Sequence, residues 1–171
     1  IDSLSVPLHQ AVKTLKEAPD GLYYALLYQG GMTCFDKEIE KYLPVRFDRP
    51  LKLKEIHDFC WYDGNLYLAT SQGLFESHPI RKKEGKDDFV LCTLNPEPLI
   101  KGKVANLCTD GKTNLYFSVD REKVMHYDFV TKKSALIREY NVVNRLFLRQ
   151  GYLWICRLWN DIVCYDLKTH K

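Results

Sequence analysis

No stretch of this sequence stays apolar for the roughly 18 residues that a membrane-crossing helix needs, and its beginning shows no signal-peptide pattern. The chain starts at Ile1 rather than Met, as a processed or excised piece would. A strong excess of either charge is also missing. The 25 Lys and Arg oppose 22 Asp and Glu, and the formal net charge of +3 is too small to announce a nucleic-acid binder. Neither a recognition helix nor an interleaved aromatic motif for single strands is legible. The six cysteines (34, 60, 92, 108, 156 and 164) include no C-x-x-C pair, and no His stands at metal-ligand spacing from them, which argues against zinc. No G-x-S-x-G, P-loop or G-x-G-x-x-G is present, so the commonest hydrolase and nucleotide signatures are missing. No cofactor is expected.

What is present is aromatic and apolar. Hydrophobic residues make up 46% of the chain, with eleven Tyr and eight Phe, residue types that suit pleated surfaces more than helices. Most cysteines sit in apolar strand contexts such as "LWICRL" and "DIVCYD", where a free Cys acts as a small buried hydrophobe. Reduced thiols and a cytoplasmic location are therefore expected. Disulfides would instead place the protein in a periplasmic or extracellular compartment.

Four stretches repeat one pattern: Ala18 to Asp36, Trp61 to Ser77, Cys108 to Asp128 and Leu148 to Asp166. Each has a turn Gly (Gly21, Gly64, Gly111, Gly151), an alternating strand, a polar turn, and a second strand ending in an aromatic and a polar residue. Leu22, Leu66, Leu115 and Leu153, taken as equivalent, are spaced by 44, 49 and 38 residues. A further apolar strand precedes each Gly: "AVKTL", "EIHDF", "KVANL" and "VVNRLFL". Another follows three of them: "IEKYLPV", "FVLCTL" and "SALIREY". About 40 residues carrying four strands is the period of a β-propeller blade. The expected fold is all-β, a single propeller domain over 1–171 with units at about 12–50, 51–100, 101–141 and 142–171. Residues 1–11 are left over to complete the last unit. Four units close a ring, or the chain is part of a larger propeller that takes further blades or another subunit.

The pattern in "DGNLYLATSQGLFES" and "GYLWICRLWNDIVCYD" resembles the two-component-regulator propeller repeats and, more loosely, the NHL and SMP-30-like propellers. The resemblance implies fold rather than activity. WD40 signatures are absent.

Two functions fit such a scaffold. One is a non-enzymatic interaction or sensing module that binds a protein or peptide with an acidic surface. The candidate contact residues are Trp159, Arg157, Arg149 and Arg145 of the Arg-rich last third, with Arg81, Lys82 and Lys83 of the charged insertion Ser77 to Val90. The alternative is an SMP-30-like metal-dependent hydrolase or small-molecule binder. There Glu55, His57, Asp58, Asn106 and Asn144 of the innermost strands supply polar groups at the axis, although no metal signature of that family is legible. The five histidines are far apart, and the recurring Asp20, Asp63 and Asp110 are explained by the turns before Gly. Trp154 alternates inward and is expected in the core, whereas Trp159 sits at a turn where burial is hard to supply.

Overall fold

The computed structural model describes residues 10–171 except 50, 52–54, 85, 86 and 160. Every regular element among them is a strand. The first unit is an antiparallel meander of β1 (Val12–Glu17), β2 (Tyr23–Leu27), β3 (Met32–Asp36) and β4 (Lys41–Phe47). The second repeats it with β5 (Ile56–Tyr62), β6 (Asn65–Thr70), β7 (Gly73–Glu84) and β8 (Asp87–Leu94), and the short β9 (Ile100–Lys101) pairs with β7. The third is β10 (Val104–Thr109), β11 (Asn114–Val119), β12 (Lys123–Asp128) and β13 (Lys133–Glu139). The fourth has three strands: β14 (Val143–Arg149), β15 (Tyr152–Arg157) and β16 (Ile162–Asp166). All four repeat stretches are thus antiparallel hairpins. Gly64 and Gly151 hold φ of 75° and 81° in the turns that open them, conformations that glycine reaches without a Cβ penalty.

Alternation gives each unit two apolar faces, and consecutive units stack them. Tyr24 and Leu26 of the first unit pack on Phe59, Leu66 and Leu68 of the second. Tyr67 and Ala69 of the second pack on Leu107, Leu115 and Phe117 of the third. Tyr116 and Val124 of the third pack on Leu146, Leu153 and Ile155 of the fourth. Among the described residues no core joins the fourth unit to the first, and these units run as an arc.

Several sequence expectations change. The register equates Tyr23, not Leu22, with Leu115 and Leu153, because Tyr23 opposes Phe35 as Leu115 opposes Tyr127 and Leu153 opposes Tyr165. A shift of one residue exchanges the two faces of a strand. The charged insertion at 77–90 is a long hairpin that continues β7 and β8, and β8 pairs in parallel with β4 through Val45↔Val90, Arg46↔Leu91 and Phe47↔Cys92. The first two units therefore share one sheet. Trp154 is only half-buried, on the outward face of the fourth unit, and Cys164 is exposed rather than core. Residues 1–9 lie outside the described residues. Ala11 belongs to the first unit, its carbonyl accepting the Tyr28 amide at 2.9 Å.

Candidate functional site: the axial groove

The innermost strands β1, β5, β10 and β14 line one open cavity of about 1000 Å³. Each of these strands departs from regular pairing near its start, one residue later in the third unit than in the others. The register shifts between Val12 and Thr14, between Ile56 and Asp58, between Ala105 and Cys108, and between Val143 and Arg145. The irregularity leaves Lys13, His57, Asn144 and, together with Leu107, Asn106 out of the ladder, with Asn106 in the left-handed region at φ 57°. A bulge re-aims a side chain that alternation would otherwise point between sheets. All four of these residues line the groove.

Local bonds hold three of the four. His57 Nε2 and Ser71 Oγ share a hydrogen bond of 3.0 Å. Asn106 donates to Ser118 Oγ at 3.0 Å, and Asn144 accepts from Arg121 at 3.4 Å. The groove is cationic: Lys13, Lys16, Lys103, Arg121 and Arg145 face Glu17 and Asp58. Asp58 is already committed. It pairs with Lys16 at 2.8 Å and accepts the amides of Phe59 and Leu107, each at 2.8 Å. Lys13, Lys103 and Arg145 have no carboxylate within ion-pair distance among the described residues. The His57 imidazole is held below its ordinary pKa, first by burial and then by the charges of Lys13 and Lys103, so the groove carries a positive field.

The candidate residues from the sequence fall in three places. Arg145 lines the groove, and Arg149 is exposed further along β14. Trp159 is 91% exposed at the turn after β15. Arg157 beside it is bound by the Asp161 carboxylate at 2.5 Å and lies over the Tyr140 ring. Lys82 and Lys83 are exposed on the long hairpin, but Arg81 pairs with Asp36 at 2.7 Å and with Asp88 at 3.6 Å, fastening the hairpin to the first unit. Of the axial polar groups, His57, Asp58, Asn106 and Asn144 do line the groove, whereas Glu55 holds the Gln72 side chain at 3.2 Å. No group of three His, Cys, Asp or Glu side chains among the described residues is arranged to hold a metal. The donors fit one poorly, since two are carboxamides and Asp58 is spent on the strands. Lys13, Lys103 and Arg121 were not legible as site residues. The available signal is the second residue of the inner-strand pattern, Lys13 in "VKTL" and His57 in "IHDF".

No protein-family model matches the sequence, and no curated protein does. Solved structures do. An auxiliary nutrient binding protein from Bacteroides thetaiotaomicron aligns over 95% of this chain and 40% of its own, with 17% identity and a TM-score of 0.68. The WD40 domain of Neurospora crassa Pan2 aligns over 95% of this chain and 48% of its own, with 10% identity and a TM-score of 0.61. The fold is that of a β-propeller. The extracellular domain of a putative hybrid two component system from B. thetaiotaomicron covers 91% of this chain and 21% of its own, with 15% identity and a TM-score of 0.60. This chain thus spans less than half the length of each. None of these neighbours supports the cytoplasmic expectation, and one is an extracellular domain.

Proposed function

We propose that this propeller is a non-enzymatic binding module whose axial groove takes an acidic segment of a protein or peptide. One observation carries the reading: the break in pairing recurs in all four inner strands and presents Lys13, His57, Asn106 and Asn144 to the same cavity. A packing requirement alone does not ask for a polar bulge residue in every unit. Lys13, Lys103 and Arg145, which have no ion-pair partner among the described residues, supply charge for carboxylates, and the carboxamides supply donors and acceptors that orient them. The neighbours named for nutrient binding and the WD40 class are compatible with a scaffold that binds rather than transforms.

The test is calorimetric titration of a Glu- and Asp-rich peptide into the 171-residue protein. Lys13→Ala together with Lys103→Ala should weaken binding by about tenfold, with the thermal midpoint unchanged. Raising salt from 50 mM to 500 mM should weaken the unsubstituted protein as well, because the attraction is screened. Unchanged affinity in the double variant overturns the assignment to the groove.

A further inference from the structure

Only the first part of β7 lies inside a sheet. β6 pairs with it through Leu66↔Ser77, Tyr67↔Glu76, Leu68↔Phe75 and Ala69↔Leu74, and β9 pairs with Gly73 and Leu74. Beyond Ser77 the strand runs on with β8 along one side, as far as Glu84↔Asp87. On the other side no strand lies beside residues 78–84 among the described residues. His78 closes the paired part, its Nδ1 lying 2.8 Å from Asn65 Oδ1. Pro79 has no N–H to give to a further strand. The open edge is therefore residues 80–84, in the middle of the chain.

Alternation puts Ile80 and Lys82 on one face of this edge and Arg81 and Lys83 on the other. Ile80 is 49% exposed beside its half-buried β8 partner Leu91. Arg81 is held by Asp36 and Asp88, and Glu84 by Arg46 at 3.3 Å. Lys82 and Lys83 are exposed and have no ion-pair partner among the described residues. The edge thus offers a row of backbone donors and acceptors, one apolar side chain and two uncommitted cations. It is also held in place beforehand, by the Arg81–Asp36 pair and by the parallel pairing of β8 with β4, so a ligand need not order it. Two such edges laid antiparallel would bring the lysines of both copies together, and like charges facing across a ladder disfavour it. A strand of opposite charge meets no such repulsion.

We infer that the free edge of β7 binds an extended acidic segment of a partner protein by strand addition. The added strand runs antiparallel, the better-bonded arrangement, along residues 80–84. It sets carboxylates opposite Lys83 and Lys82 and an apolar residue opposite Ile80, so the segment reads acidic, acidic, any residue, apolar. Main-chain hydrogen bonds supply the affinity, and the alternating side chains supply the choice of sequence. The lysines that repel a second edge of the same kind are those that select the acidic strand. No residue of β7 lines the axial groove, and the edge is open whatever the groove takes.

The experiment is amide hydrogen exchange, read residue by residue by NMR, on the 171-residue protein with and without a capped peptide centred on Glu-Glu-Thr-Val. Saturating peptide should slow alternate amides of residues 80–84 by roughly tenfold or more and leave those of β1 and β10 unchanged. Lys82→Glu together with Lys83→Glu should weaken the peptide by at least about tenfold while keeping the strand signature in circular dichroism. A Lys-Lys-Thr-Val peptide should then bind that variant, because the charges are exchanged across the same pairs. N-methylation of the peptide amides at one set of alternate positions should abolish binding, and at the other set should leave it, as pairing along a single edge requires. No protection at residues 80–84 overturns the inference. So does unaltered affinity in the double variant, or equal tolerance of the two N-methylated sets. Protection of the same amides by self-association, without peptide, also overturns it and assigns the edge to a second copy.

Discussion

Lys16 Nζ lies 2.8 Å from Asp58 Oδ1, and the other oxygen of the same carboxylate accepts the amide of Leu107 at 2.8 Å. One side chain therefore ties β1, β5 and β10 together, three strands from three different units. Lys16 also reaches the Phe59 carbonyl and lies over the Phe59 ring, so its alkyl stem and its charge serve the same junction. Asp58→Asn should weaken this clamp without creating a cavity. The expected loss is about 1–3 kcal/mol, the range for hydrogen bonds to a charged group. Urea denaturation measures it, and Asp58→Ala should cost at least as much.

Acid should loosen the long hairpin first. Burial alone would raise the Asp36 carboxyl, but the Glu38 amide, the Arg81 guanidinium and the Ile39 amide together hold it below the ordinary carboxylate value. The unfolded chain then takes up its proton before the folded one does. The stability that Asp36 contributes is present above the ordinary carboxylate pKa of about 4 and is lost as the pH falls below it. Arg81→Ala should flatten that part of the stability profile between about pH 5 and pH 2, followed by tryptophan fluorescence in urea.

Glycines of two kinds separate strain from collision. At Gly64 and Gly151 an added Cβ meets nothing within 4 Å, so Val there should cost only backbone strain, about 1–2 kcal/mol. At Gly73 a Cβ would run into the Ile100 carbonyl and the Pro98 ring, both backbone-anchored. Gly73→Ala should cost more than either, about 2–4 kcal/mol, although it adds fewer atoms. Thermal denaturation of the three variants gives the order.

Trp159 combines 91% exposure with a φ of 65°, a conformation costly for a residue with a Cβ. Replacing it with glycine should raise stability by about 0.5–1 kcal/mol, since nothing buried is lost and strain is relieved. If this residue anchors a partner, the same variant should bind that partner less well. A fall in thermal midpoint would show that the side chain supports the fold.

Three of the four inner strands were legible because they begin with two apolar residues bracketing a polar pair, "VKTL", "IHDF" and "VNRL", whereas the third has Ala105-Asn106 in that place. That one member of the pair leaves the ladder was not legible, since a bulge is a matter of register and register needs the partner strand. Leu22 and Tyr23 are both apolar neighbours, so composition gave no reason to prefer either as the equivalent of Leu153. The insertion was visible as a charged interruption. Its docking was hidden, because Asp36 and Arg81 meet across 45 residues of sequence. Trp154 reads as core in its own strand, and its partial exposure depends on a neighbour that the strand does not specify.

The parallel pairing of β4 with β8 changes how this array comes apart. In a stack of repeats the outermost strand is normally the first to fray, and each unit opens at a rate set by its immediate neighbours. Here the outer strand of the first unit is an interior strand of a sheet that runs through the second, so neither can shed its rim alone. Amides of β4 should exchange with solvent on the timescale of the β7–β8 pair rather than that of an edge. Among the described residues the fourth unit is then the place expected to open early, since it has three strands and β16 is an unpaired edge. Opening there exposes the end of the arc while leaving the first two units locked as one cooperative block.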